Sequence, residues 1–329
     1  MRPPGFWRNS PDRPGWQARV LAPLSWLYDN VTARRVRQKG YKPACAVVCV
    51  GNLNVGGTGK TPVVIALIER LGEAVHVVSR GYGGSLEGPV QVVPSRHSAA
   101  EVGDEPLLLS AFTPTWVAKD RAAGVRAAET AGARVILLDD GHQNPSVEKS
   151  LSLVVVDAEV GFGNGRVMPA GPLRENVDAG LARADFVISV GDPAAQDKFQ
   201  AIWADRVNVP IVAARLEPLQ TGMDWQGARV LAFAGIGRPE KFFATLRGLG
   251  ADVVRTHALD DHQALPQGLM SRLEADAAAQ GAQLVTTEKD AVRLPEAFRA
   301  KVLAVPVRLV FDPLDAFDQA LKDLVDRVS

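Results

Sequence analysis

Residues 51–62, GNLNVGGTGKTP, stand between an unbroken apolar run at residues 44–50 (ACAVVCV) and a helical pattern at residues 62–71 (PVVIALIERL). Strand, glycine-rich turn and helix in that order open a parallel α/β domain. A polyphosphate needs inward-turned backbone N–H groups, a path that glycines permit, together with a lysine ammonium and a hydroxyl for Mg²⁺. Gly56, Gly57, Gly59, Lys60 and Thr61 meet those needs, with Asn54, Val55 and Thr58 completing the loop. Pro62 is compatible with a helix start, because a first-turn N–H has no partner inside the helix.

Outward from this loop, apolar runs at residues 75–78, 115–118, 135–138, 153–156 and 186–190 alternate with helix-like stretches such as 121–131. That alternation predicts a P-loop NTPase-like, doubly wound parallel sheet covered on both faces. A second set begins near Gln226, with strands at 229–234, 252–256, 283–286 and 302–309 and helices at 239–249, 266–279 and 313–328. Pro218 and Gly222 break the pattern between the sets. The expected organisation is a basic amphipathic segment over 1–42, a P-loop domain over 43–220, and a smaller α/β domain over 221–329 facing it across a cleft.

Several acids fall where such a cleft could use them. The apolar strand in RVILLDDGHQ (134–143) ends in Asp139 and Asp140, on the same crevice as the glycine loop, where a carboxylate can hold Mg²⁺ directly or through water. Paired aspartates before glycine also suit a turn. Gly103-Asp104-Glu105-Pro106 reads as a helix cap, or as a carboxylate poised to accept a hydroxyl proton with a neighbour on the metal. In residues 259–263 (LDDHQ) an Asp-His pair could reach across the cleft or be solvated. Loops 79–84 (SRGYGG) and 161–175 (GFGNGRVMPAGPLRE) carry Arg80, Arg166 and Arg174, suited to an anionic substrate and equally to ordinary turns. Residues 286–290 (TTEKD) predict a helix cap with structural duty.

Composition narrows the classes. The 329 residues carry 37 Lys+Arg against 37 Asp+Glu and are 47% hydrophobic and 22% charged, which excludes a disordered tail protein, a collagen-like fibre and a coiled-coil rod. Cys45 and Cys49 form no CxxC pair, so neither a disulfide framework nor a structural zinc site is expected. No run approaches the roughly 18–20 apolar residues of a membrane span, and residues 1–20 hold four prolines rather than a signal block. The chain is expected to be neither exported nor integral.

Neutrality hides an asymmetry: residues 1–42 contain nine Lys/Arg against Asp12 and Asp29, with Trp7, Trp16 and Trp26. Val20, Leu24, Leu27 and Val31 have helical spacing, and Arg34, Arg35, Arg37 and Lys39 follow. Such a helix either docks on its own domain or lies in the headgroup region of an anionic bilayer. Nucleic acid is not an expected partner, since the remainder is net acidic and no groove-reading motif occurs. No obligate protein partner is evident.

Taken in order, GNLNVGGTGKTP (51–62), SRGYGG (79–84), VGDEP (102–106), LDDGHQ (138–143), PAGPLRE (169–175), FAGIGRP (233–239), Asp261-His262 and TEKDAV (287–292) resemble tetraacyldisaccharide 4′-kinase, the lipid A kinase family of Gram-negative bacteria. The likeness spans roughly residues 15 to 295; Asn54 stands where the family usually has Ser or Thr. The resemblance implies transfer of the ATP γ-phosphate to the 4′-hydroxyl of a tetraacyl glucosamine disaccharide 1-phosphate by a peripheral enzyme at the cytoplasmic face of the inner membrane. It implies two domains that close over ATP·Mg²⁺ and an N-terminal helix that helps dock the glycolipid. By the same resemblance Lys60 contacts the phosphates, and Thr61, Glu105, Asp139 and Asp140 surround the magnesium. Asp104 takes the hydroxyl proton, tuned by His262 with Asp261 beside it, and Arg174 neutralises charge at the transferred group. Arg80, Tyr82 and His142 are further candidates, either to touch substrate or to support the residues that do. The alternative is a membrane-associated P-loop nucleotide-switch ATPase, whose early loop lysine is replaced here by Val55. A soluble small-molecule kinase or ligase leaves the basic aromatic N-terminus unexplained.

Overall fold

The computed structural model describes residues 3–72, 74–260, 263 and 265–327. Nine strands form the large sheet: β1 (Ala46–Gly51), β2 (Val75–Ser79), β3 (Val90–Gln91), β4 (Thr115–Val117), β5 (Val135–Asp139), β6 (Leu151–Asp157), β7 (Phe186–Val190), β8 (Ile211–Pro218) and, after an excursion, β13 (Val307–Phe311). Their order is β13-β8-β7-β6-β1-β5-β2-β4-β3, parallel from β8 through β4, with β13 and β3 antiparallel at the edges. β1 is buried along its whole length, as an apolar run flanked by parallel neighbours must be. Its side chains alternate: Val48 and Val50 pack under the helix Lys60–Leu71, while Val47 joins Val78, Ile136 and Leu138 under the helix Arg121–Thr130. The chain reverses direction across the sheet at β1, so the loop after β1 opens on the switch-point crevice.

The small sheet contains β9 (Arg229–Ala234), β10 (Asp252–Ala258), β11 (Gln283–Thr287) and β12 (Val302–Val305) in the order β10-β9-β11-β12, all parallel. Phe242, Phe243 and Leu246 of the helix Pro239–Gly248 cover one face, and Met270, Leu273 and Ala277 of the helix Gln267–Ala279 cover the other. The apolar run at 302–309, expected as one strand of a unit reaching residue 329, is divided at Pro306. Residues before it pair with β11, whereas β13 crosses back to pair with β8. Phe317, Leu321 and Leu324 of the helix Asp315–Asp326 then bury in the core of the large sheet beside Phe311. A proline lacks the N–H needed to continue a ladder, and the amphipathic helix finds its apolar complement on the large sheet.

The N-terminal helix runs Trp16–Val36 with Pro23 inside it. Its inward face is Ala18, Ser25 and Thr32, spaced by seven. Ser25 Oγ donates to the Val167 carbonyl at 2.8 Å and accepts from Ala170 N at 3.0 Å, and Asp29 accepts from Asn176 N at 3.0 Å. Val20, Leu24, Leu27 and Val31 lie on the opposite side, and all are exposed, as are Trp16 (70%) and Trp26. Among the described residues no helix is long and apolar enough to cross a membrane.

Gly51 ends β1 against His142. A Cβ there would lie 2.5 Å from His142 Cβ, so the strand meets the β5 turn only because the side chain is absent. His142 is buried and its Nε2 lies 2.9 Å from the Gly180 carbonyl, which requires Nε2 to carry the proton and donate. Burial, reinforced by Arg183, holds its pKa down at about 3. The unfolded chain therefore binds a proton below about pH 6.5 that the folded chain refuses until about pH 3, so His142 makes stability fall with acidification across that window. Between pH 7 and 5 the loss attributable to His142 is about 2 kcal/mol. Urea titrations of His142→Gln across this range should show a correspondingly shallower decline than the parent; an unchanged slope would refute the assignment.

Candidate active site

The glycine loop is held open by its neighbours. Gly56 and Gly59 have φ of 106° and 89°, a region closed to most side chains, and Gly59 caps the helix that starts at Lys60. Asn52, fully buried, donates to the Gly56 carbonyl at 3.2 Å and to Thr58 Oγ1 at 3.0 Å. Gln143 Nε2 donates to the Asn52 carbonyl at 2.8 Å and to Glu175 Oε1 at 2.9 Å. Asn54 is buried and its amide donates to the Gly161 carbonyl at 3.0 Å. Asn54 thus braces the loop from behind. Val55 N donates to the Pro172 carbonyl at 2.8 Å, Arg174 N donates to the Leu53 carbonyl at 2.7 Å, and the Val55 side chain is exposed at the mouth.

Lys60, Asp140 and Arg174 meet at this mouth. Asp140, with φ 53°, lies 3.4 Å from Lys60 Nζ, and Arg174 Nη1 is 2.9 Å from both its oxygens. Burial pushes the Asp140 carboxyl upward, but Lys60 and Arg174 outweigh it and hold the pKa at about 2. Arg121, buried and unremarked in the sequence, donates to the carbonyls of Asp139 (3.1 Å) and Asp140 (2.7 Å) and so fixes the strained turn. Its only sequence signal is its place behind Asp120, which caps the helix Arg121–Thr130 by accepting from Ala122 N and Ala123 N.

Asp139 is buried, accepts from Ser79 Oγ at 2.9 Å through Oδ2, and leaves Oδ1 without a hydrogen bond. Burial and the nearby Glu105 charge raise its pKa. A dry, unpartnered carboxylate oxygen beside a second acid fits a hard divalent cation. Among the described residues no group of three or more His, Cys, Asp or Glu is arranged to hold a metal ion. Thr61 sits in the first turn of the helix after the loop.

Asp104 and Glu105 occupy the first turn of the helix Asp104–Leu109, but neither caps it; the cap residue is Gly103, with φ 91°. Both acids face the small domain: Arg293 Nε is 3.4 Å from Asp104 Oδ2 and Lys289 Nζ is 3.1 Å from Glu105 Oε1. On the other flank Arg238 pairs with Asp157 at 3.1 Å and with Glu159. Arg80 and Tyr82 are exposed after β2. His142 is interior, its ring seating the β5 turn against Gly180, a place that suits a supporting residue. Asp261 and His262 lie outside the described residues.

The family model described as Tetraacyldisaccharide-1-P 4'-kinase matches residues 17–326. A relative from Dinoroseobacter shibae named tetraacyldisaccharide 4′-kinase is 63% identical over 98% of either chain. One of the same name from Jannaschia sp. is 55% identical over 99% of this chain and all of its own length. Another, from Rhodospirillum rubrum, is 49% identical over 99% of this chain and 98% of its own. A crystal structure of the Aquifex aeolicus protein, described as in complex with ATP, shares the fold with a TM-score of 0.73 at 24% identity, covering 94% of this chain and 99% of that one. By sequence and by fold, the chain belongs to the tetraacyldisaccharide 4′-kinase family.

Proposed function

We propose that the chain transfers the γ-phosphoryl group of ATP to the 4′-hydroxyl of a tetraacyl glucosamine disaccharide 1-phosphate, the lipid A precursor. The observation that carries this reading is the convergence of Lys60 and Arg174 on Asp140 at the mouth of a glycine loop whose backbone is already set. Two cations waiting on one carboxylate can turn to a polyphosphate without reorganising the fold, and charge neutralisation with alignment is most of what phosphoryl transfer requires.

In the proposed step the 4′-oxygen attacks Pγ, the bond from Pγ to the β-bridging oxygen breaks, and ADP leaves with that electron pair. Asp104, with His262 in support, takes the hydroxyl proton; a sugar hydroxyl is a poor nucleophile and gains from a base within reach. Lys60 and Arg174 meet the charge on the transferred group. Mg²⁺, held by Thr61, Glu105, Asp139 and Asp140, would neutralise phosphate oxygens when bound.

The same reading puts the enzyme at the cytoplasmic face of the inner membrane as a peripheral protein. An outward row of Val20, Leu24, Leu27 and Val31 followed by Arg34, Arg35, Arg37 and Lys39 supports it, because such a helix lowers its free energy by sinking the row into the headgroup boundary over anionic lipid.

Lys60→Ala should lower transfer about 10²–10³-fold and Asp104→Ala about 10²–10⁴-fold, scored by labelled ATP and the mobility of the labelled lipid. Full transfer by Asp104→Ala would remove it from the base role. Leu24→Ser with Val31→Ser should weaken co-sedimentation with anionic vesicles about tenfold or more, while thermal stability and transfer in detergent micelles stay near the parent. Vesicle binding equal to the parent would count against membrane docking by this face.

A further inference from the structure

We infer that Arg293 is the positioning residue by which the small domain fixes Asp104 for proton abstraction, an inference that rests on the base role proposed for Asp104. The two side chains are only 9% and 10% exposed, and they come from different sheets. Arg293 Nε faces Asp104 Oδ2 at 3.4 Å and makes no hydrogen bond. At its other end the guanidinium is anchored twice: Nη2 pairs with Asp290 Oδ1, and Nη1 donates to the Gln263 carbonyl at 3.1 Å.

The anchor is itself built. Asp290 is completely buried, and its Oδ2 accepts from Gly235 N at 3.0 Å and from Thr287 Oγ1 at 2.7 Å. A Cβ on Gly235 would lie 2.9 Å from Arg293 Nη2, 3.1 Å from Asp290 Oδ1 and 3.2 Å from the Asp260 carbonyl. Gly235 after β9, the Gln263 carbonyl and Asp290 of the helix Glu288–Ala291 therefore converge on one side chain.

A tie that served only the small domain would not need its guanidinium to reach the large one, where burying the charge is expensive. The rigid fork explains the choice: with two nitrogens fixed, the direction of Nε is fixed too. Holding Oδ2 sets the rotation of the Asp104 carboxylate and hence which lone pair faces the acceptor hydroxyl. A contact of 3.4 Å in the unliganded protein tightens to a hydrogen bond with a small closing movement, so the base is aligned when the domains close on substrate. Lys289 on Glu105 repeats the grip one residue along.

The test measures transfer by the full chain in lipid micelles for Arg293→Gln, for the paired Asp290→Asn/Arg293→Gln, and for Gly235→Ala, each alone and combined with Asp104→Asn. The paired variant keeps a hydrogen bond between two neutral amides and leaves no charge stranded at position 290, so it decides the matter if the single variant does not fold. With Asp104 present, kcat should fall about 10- to 100-fold while KM for ATP stays within about threefold, and Arg293→Lys should recover part of the loss. With Asp104→Asn, the same changes should lower the residual rate less than about twofold. A paired variant within twofold of the parent, or equal losses in both backgrounds, would overturn the inference and leave the kinase reading intact. Full transfer by Asp104→Asn would overturn this inference together with the base role of Asp104, and would leave the kinase reading standing.

Discussion

A loop of backbone N–H groups with no ligand and no secondary structure must be held in shape by something else, and here buried amides do it. Asn52 spans the loop from Gly56 to Thr58, Gln143 holds the Asn52 carbonyl, and Asn54 ties the preceding turn to Gly161. Each is sequestered from water, so losing one partner strands a polar group at a cost of about 1–3 kcal/mol. The loop is thus preorganised before nucleotide arrives, and its bracing segments, 141–143 and 161–175, are the same ones that carry Arg174 and adjoin Asp140. Phosphate geometry and charge placement are one network.

That network has two mechanical inputs. One is the small domain, whose cations Arg293 and Lys289 grip the acids after Gly103 while Arg238 and Lys241 grip Asp157 at the end of β6. Apart from Arg293 on Asp104 these pairs are partly buried, with water still reaching one or both partners, and each contributes modestly, about 0–1 kcal/mol. Several such ties join the small sheet's elements to the large sheet on opposite flanks. The deeply buried Arg293 contact is the exception, and it is the one directed at Asp104.

How much of this was legible depended on whether a residue's partner was close in sequence. The unit Ala46–Gly51, loop, Lys60–Leu71 could be read because apolar period, glycines and helix start are all local signals. The acids at the end of β5 were legible because strand termini in a parallel sheet share one crevice. The return of β13 to the large sheet was not, because a single apolar run hides the change of partner at Pro306. Arg121 and Arg293 were invisible as lone arginines whose carbonyl and carboxylate partners lie up to 189 positions away, a separation no local pattern encodes. The inward packing of His142 was not legible either, because it depends on Gly51, which leaves room for the ring 91 positions along the chain.

The second input is the N-terminal helix, whose sides are reversed from those of a helix made for its own core. Its protein-facing side is Ala18, Ser25 and Thr32, small or polar, and its grip on the body is polar, through Ser25 to Val167 and Ala170 and through Asp29 to Asn176. Folding alone leaves four aliphatic side chains and two tryptophans in water, although burying each would contribute about 1.5–3 kcal/mol. Its contacts fall on segment 162–176, which Trp7 also holds through Pro169 and which carries Arg174 to Asp140 and Pro172 to the phosphate loop. A surface that engaged this helix would bear, through a few hydrogen bonds, on Arg174, Asp140 and the glycine loop. The helix is joined to that loop by geometry alone, with no moving part required between them.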